Sequence, residues 1–362
     1  MSQLILLEGF DWCASGDLIL GPWITGGGIS IGQGRTRNGC GTEAVASLDN
    51  SFFGGPPGGW LQWTAGMAVN YGLYFSGQDL IVFQAFLSGT SVRLQHVGDG
   101  RLQVGCIAFG SQTTSEPSDA PFILKPGQWW YLEMQASESV INIPAMDGNP
   151  PYWYVQYIYE VRVNGDPSPY MSGVIDTVHV SGSMDAKDTA FTQFIVVPST
   201  AGVMDDVYLT DDTWLGNITV WTGFPNGEGN ENDFIPDPTQ ANYLNVKEHN
   251  PGPDRDTTYN YSTTAGDVDL YTFDQLVPFT PPPMTTGISG VQAMVIFRTS
   301  DTGTATVSGT MVSSGTHYFP SAPVPPTETY MGQWGAYLQS PGGGDWTPDE
   351  VNDIQIGLTR NS

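Results

Sequence analysis

Lysine is almost missing from this sequence: Lys125, Lys187 and Lys247 are the only three in 362 residues, and lysine and arginine together number 11 against 37 aspartates and glutamates. The formal net charge of −26 has the wrong sign for phosphate-rich partners. Nucleic acid is therefore excluded as a ligand, and so is an anionic bilayer surface. Runs of about 18 apolar residues, the length needed to span a membrane, are also absent. Residues 1–8 (Met-Ser-Gln-Leu-Ile-Leu-Leu-Glu) have neither a basic start nor a useful apolar stretch. The expectation is a chain made and kept in a cytoplasm, without membrane insertion.

Cysteine is scarce and unpatterned. Cys13, Cys40 and Cys106 are odd in number and show no CxxC spacing, so small buried hydrophobes are expected rather than a disulfide framework or a zinc site. Enzyme signatures are missing as well: no GxSxG, no GxxxxGK[ST], no HExxH, and no GxGxxG opening a helix. The glycine run at 25–29 leads into strand-like residues. His96, His179, His249 and His317 have none of the close spacings that build a metal face. A glycosidase needs two carboxyls across one cleft, and Glu133 and Glu160 are the only plausible pair on strand-like segments. No cofactor and no catalytic residues are expected, which leaves polysaccharide hydrolysis as the remote alternative.

What the sequence does have is 45 glycines, 27 prolines and 12% aromatic residues, with only 13% charged. That is the composition of many short strands joined by tight turns. Apolar or alternating runs predict strands over 58–74, 79–87, 91–96 and 101–108, the last two joined by Gly98-Asp-Gly100 as a hairpin. Alternation continues at 129–135, at 152–163 up to the Asn164-Gly165 turn, and at 189–197 and 204–209. Glycine, proline and asparagine then crowd into 223–256, which reads as an irregular linker-like segment with a domain boundary near 222. Further strands are predicted at 267–273, 290–298, 305–313, 329–338 and 354–359. Thr347-Pro-Asp-Glu350 reads as a capping box opening a helical turn. The first 222 residues carry a net −14 and the remaining 140 a net −12, so acidity is spread along the chain and serves solubility.

Two sets of residues are candidate sites. Asp205, Asp206, Asp211 and Asp212 could offer oxygen ligands to Ca²⁺, although short aspartates more often cap turns. Tyr152, Trp153 and Tyr154, after Pro150-Pro151, are the candidate recognition tip of a loop, since an exposed aromatic ring stacks on a sugar or anchors an interface.

Three segments, Ile123-Leu-Lys-Pro-Gly-Gln-Trp-Trp-Tyr-Leu-Glu133, Glu160-Val-Arg-Val-Asn-Gly165 and Met204-Asp-Asp-Val-Tyr-Leu209, resemble in order and spacing the concanavalin A/laminin-G jelly roll over about residues 3–215. Leu215-Gly-Asn-Ile-Thr-Val-Trp-Thr-Gly-Phe-Pro-Asn-Gly-Glu-Gly229, 242–248, Asp256-Thr-Thr-Tyr259, Gly266-Asp-Val-Asp-Leu-Tyr271 and Trp346-Thr-Pro-Asp-Glu-Val-Asn352 with Ile356-Gly357 resemble bacteriophage virion proteins. Those proteins carry an "LGd-x-x-v" strand and a "yPngdg" loop after a jelly roll. The resemblance implies an all-β protein with a concanavalin A-like jelly-roll sandwich over 1–222 and a C-terminal β-sandwich over 223–362 for docking or oligomerisation. It further implies a non-enzymatic particle component of tail, baseplate or head, located in the virion after assembly in the host cytoplasm. Its partners would be other virion proteins, further copies of itself in a symmetric homo-oligomer with a trimer favoured, and a host-surface glycan. A glycan-binding lectin module is the alternative reading.

Overall fold

A computed structural model describes residues 3–9, 28–29, 35, 41–42, 46–49, 62–71, 78–85, 90–97, 100–108, 111–114, 124–146, 150–176, 180–181, 191–196, 202–247, 254–276, 287–300, 305–318 and 323–362. These fall into two compact units that divide between Thr219 and Val220. Cys13, Cys40, His179 and His249 lie outside the described residues. Among the described residues no helix is long and apolar enough to cross a membrane.

The first unit opens with strands β1 (Leu4–Glu8), β2 (Gly28–Ile29), β3 (Gly41–Thr42), β4 (Ala46–Asp49) and β5 (Gln62–Tyr71). It continues through β6 (Gln78–Ala85), β7 (Ser91–His96), β8 (Leu102–Ala108), β9 (Ser111–Thr114) and β10 (Trp129–Ile143). β11 (Tyr152–Val163), β12 (Met171–Asp176), β13 (Val180–Ser181), β14 (Phe191–Val196) and β15 (Gly202–Thr210) complete it. One antiparallel sheet of nine strands runs β12-β11-β10-β5-β15-β3-β2, with β1 against β15 and β13 against β11; a second, of six strands, runs β4-β14-β6-β7-β8-β9. The expected 91–96 and 101–108 hairpin is present as β7 and β8.

Side-chain alternation sends one set of aromatics between the two sheets. Trp63 of the nine-stranded sheet meets Phe83 edge-on and stacks on Phe191, both at 5.7 Å, and Tyr157 stacks on Phe191 at 5.7 Å. These rings are almost completely buried and form the centre of a sandwich. Cys106 lies in the same interior as a free thiol, pushed up to about 12 by burial.

The second unit contains β16 (Pro225–Asn232), β17 (Ile235–Asp237), a 3₁₀ turn (Asn242–Asn245), β18 (Tyr259–Tyr261) and β19 (Val268–Phe273). It continues with β20 (Val291–Phe297), β21 (Val307–Ser313), β22 (Thr316–Tyr318), β23 (Met331–Tyr337), α1 (Pro348–Asn352) and β24 (Gln355–Arg360). Five strands form an antiparallel sheet β16-β19-β24-β21-β22, and β17-β18 and β20-β23 form two-stranded ladders. Met311, Trp346 and Ile354 are the buried centre, with Val291 and Tyr337 of the β20-β23 ladder packed on it. The capping box is built as expected, Thr347 accepting from the Glu350 amide and Glu350 reaching back to the Thr347 amide. The fold is thus all-β and antiparallel in both units.

Part of 223–256 departs from the linker reading. Residues 225–232 are an edge strand whose pairing with β19 slips twice, between Pro225/Gly227 and between Glu228/Asn232. Glycine suits this strand because a Cβ on Gly229 would stand 2.6 Å from the Leu270 Cβ and 2.7 Å from the Gln355 side chain. The breakers therefore serve a close, irregular edge rather than a free linker.

A polar network joins the β17-β18 ladder to the five-stranded sheet. Buried Asp269 accepts from the Asn242 amide at 2.9 Å, from Asn260 at 3.2 Å and from the Tyr271 hydroxyl. Asn245 reaches the carbonyls of Pro238 at 3.1 Å and Tyr259 at 3.2 Å. Residues quoted from two of the phage-like segments, 242–248 and 266–271, thus meet at one buried carboxylate, together with Asn260, which follows the third, 256–259.

Candidate functional site

The outer face of the nine-stranded sheet is divided into a covered half and an open half. Alternation along β10 points Tyr131, Glu133, Gln135 and Ser137 outward, and in β11 it points Arg162, Glu160 and Ile158 the same way. Tyr131 and Glu133 are nevertheless completely buried. The chain at 214–218 crosses above them, with Leu215 and Ile218 packed beside Leu7 and Trp129 on a cluster of Ala68, Tyr131 and Tyr208. The phage-like resemblance makes 215–220 a strand; here it joins no ladder, and residues 215–218 of it serve as this cover.

Polar contacts fasten the cover. Glu133 Oε1 accepts from the Tyr208 hydroxyl at 2.5 Å and from the Gly216 amide at 2.8 Å, while the Leu215 amide donates to the Tyr208 oxygen at 3.2 Å. Burial pushes the Glu133 carboxyl above its ordinary range, and these hydrogen bonds with the charge of Arg162 pull it partly back. Arg162 stacks on the Trp214 ring at 4.0 Å and pairs with Glu160 at 2.6 Å. Arg35 holds the far end, donating to the Ile218 carbonyl at 3.0 Å and to Asn217 at 2.6 Å, with its guanidinium over the Tyr131 ring.

The open half is a shallow groove of about 330 Å³. Two cross-strand rows line it. Gln135, Glu160 and Ser172 face one another across β10, β11 and β12, and Ser137, Ile158 and Val174 form the next row. Ile158 is 48% exposed and Val174 54% exposed, so the second row is a bare aliphatic strip beside a polar one. Gln135 is steadied by bonds to Thr64 Oγ1 at 2.8 Å and to the Asp212 carbonyl at 3.0 Å.

Glu133 and Glu160 share this sheet face, on adjacent strands, yet only Glu160 borders the groove. Glu133 is sealed under Leu215 and Gly216, with no water access for a nucleophile or acid. The arrangement offers hydrogen bonds and an aliphatic surface to a ligand, and one ion-paired carboxylate.

The four aspartates of the calcium expectation have other partners. Asp205 and Asp206 sit at a bulge in β15, where Asp206 adopts φ of 50°. Asp205 accepts from the amides of Arg35 at 2.7 Å and Asp206 at 2.8 Å, and Asp206 pairs with the Arg35 guanidinium at 3.3 Å. Asp211 accepts from the Gln3 amide at 2.8 Å and Asp212 from Thr213 Oγ1 at 3.0 Å. Among the described residues no group of three or more metal-ligating side chains forms. Sequence reading missed Arg35 because its partners lie some 170 residues away.

Tyr152, Trp153 and Tyr154 are not a loop tip. They begin β11, paired with Ile143, Asn142 and Ile141 of β10, while Tyr152 and Trp153 also pair with β13. Pro150 and Pro151 come directly before the ladder, which starts at Tyr152. The side chains of Trp153 and Tyr154 lie outside the described residues.

The fold and face define an all-β sandwich with an open groove on one sheet. No family model and no curated protein matches the chain. Among solved structures it is similar to domain 4 of AbnA, a GH43 extracellular arabinanase from Geobacillus stearothermophilus solved with arabinotriose, at 14% identity over 58% of this chain and 93% of that one, TM-score 0.35. It is similar to alginate lyase vAL-1 from Chlorella virus at 15% identity over 58% and 100%, TM-score 0.36. The CBM2 module of the evolved Dit of Lactobacillus casei BL23 phage J-1 matches at 12% identity over 61% and 98%, TM-score 0.30.

Proposed function

We propose that this protein is a non-enzymatic structural component of a bacteriophage particle, of tail, baseplate or head, whose first unit contacts a host-surface saccharide through the Gln135–Glu160–Ser172 groove. The observation that carries the binding reading is the burial of Glu133 beside an open groove that holds Glu160. Retaining or inverting hydrolysis needs two carboxyls facing one substrate, and here the second is locked under Leu215 and Gly216. The polar and aliphatic rows suit a sugar, whose hydroxyls meet Gln135, Glu160 and Ser172 while its C–H face lies on Ile158 and Val174.

The virion assignment is supported by the ordered motifs of 215–357, which resemble phage particle proteins. In this reading the protein assembles in the host cytoplasm with other virion proteins, its copies placed as a symmetric oligomer, a trimer by preference. Antibody labelling of purified particles tests the assignment: label at a repeated, symmetric position is expected, and particles devoid of the protein overturn it. Binding of host-surface polysaccharide by the purified protein tests the groove.

A further inference from the structure

The second unit carries an exposed face that the groove reading does not use. β17 and β18 pair Ile235 with Tyr261 and Asp237 with Tyr259, so these four side chains share one side of the ladder, with Pro236 and Asn260 on the other. Ile235 is 48%, Tyr259 38% and Tyr261 41% exposed. The two tyrosine rings stand 6.2 Å apart, inclined at 52°. Tyr259 donates its hydroxyl to Asp237 Oδ2 at 3.0 Å, which fixes both the ring and the carboxylate.

The ladder is held rigidly from behind. Asn260, on its reverse side, donates to the Asn242 carbonyl at 2.9 Å, to Asp269 at 3.2 Å and to the Tyr271 oxygen at 2.9 Å. Asn245 Nδ2 meets the Tyr259 carbonyl at 3.2 Å and Asn260 Oδ1 at 3.1 Å. Exposed aromatic rings on a backbone pinned in this way lose little entropy when a ligand settles on them.

We infer that the Ile235–Asp237–Tyr259–Tyr261 face is a second binding site, for a neutral saccharide. Size argues for a small ligand: a stable protein interface takes about 800 Å² and 20–30 residues from each side, and this face presents four outward side chains. Chemistry argues for a sugar, whose axial C–H groups lie against the tyrosine rings while its hydroxyls donate to the Asp237 carboxylate. Charge argues for a neutral one. With a net −12 over 223–362 and a carboxylate within the face, uronates and phosphate-bearing glycans are repelled, as is a second copy of the same face. The inference stands on the second unit alone and does not depend on the groove of the first.

The test uses the full-length protein, with ligand-observed NMR against maltohexaose, cellohexaose, galactohexaose and N-acetylglucosamine oligomers at millimolar concentration and hexagalacturonate as the acidic comparison. Binding of at least one neutral oligomer and none of the uronate is expected. Tyr261→Ala should weaken that binding tenfold or more, Tyr261→Phe, which keeps the ring, should retain it, and Ser172→Trp in the groove should leave it unchanged. Failure of every neutral oligomer to bind, survival of binding in Tyr261→Ala, or loss only in Ser172→Trp would overturn the site. The last of these outcomes would leave the groove reading standing.

Discussion

Tyr208 and Glu133 meet at 2.5 Å on the face of the nine-stranded sheet that alternation turns to solvent, and both are completely buried there. The pair is what separates this sheet into a covered half and an open groove. A close backbone makes it possible, since a Cβ on Gly66 would lie 2.3 Å from the Tyr208 ring.

Removing the hydroxyl should therefore loosen the cover. Tyr208→Phe leaves Glu133 buried with one hydrogen-bond donor fewer, at an expected cost of about 1–3 kcal/mol. Gly66→Ala displaces the ring and should cost about as much by overpacking. Thermal denaturation measures both, and an unchanged melting temperature in the two variants would contradict the fastening.

The buried carboxylate of the second unit gives a pH prediction. Burial raises Asp269 from 3.8 to about 6, with Glu228 adding to the rise, while hydrogen bonds from Tyr271, Asn242 and Asn260 oppose it. A folded-state value above the unfolded one means that the folded state binds the proton more tightly. The contribution of Asp269 to stability is thus fully present below about pH 4 and lost as pH rises through 6, a change of at most about 3 kcal/mol. Carboxyl ¹³C NMR should give Asp269 a titration midpoint near 6; a midpoint near 4 contradicts it.

Calcium and Arg35 can be told apart in one experiment. Because Asp205 and Asp206 are engaged by Arg35, neither added Ca²⁺ nor a chelator should move the melting temperature. Arg35→Ala strands the buried Asp206 carboxylate and should cost about 2–3 kcal/mol, less than for a fully buried pair because Arg35 keeps some water. A chelator-dependent shift that Asp206→Asn abolishes would return these aspartates to a metal site.

Much of the fold was legible from local patterns. β7 and β8, β11 with its Asn164-Gly165 turn, and the Thr347 capping box follow from alternation and turn chemistry within a few residues of one another. The failures are all non-local. Pro225 to Asn232 forms a strand only because β19 lies alongside. Of the site, sequence picked out Glu133 and Glu160 as a pair. The cover at 214–218 that separates them depends on contacts with Arg35, Arg162 and Tyr208, which no local pattern encodes.

The central claim is that the groove beside Glu160 binds a saccharide without cleaving it. Calorimetric titration of full-length protein with polysaccharide extracted from the surface of the host, run beside an assay for newly formed chain ends, tests this most directly. Saturable heat, no new chain ends, and at least tenfold weaker binding in Ser172→Trp are predicted. Accumulating chain ends that Glu133→Gln or Glu160→Gln abolishes would contradict it and make the sheet face an active site.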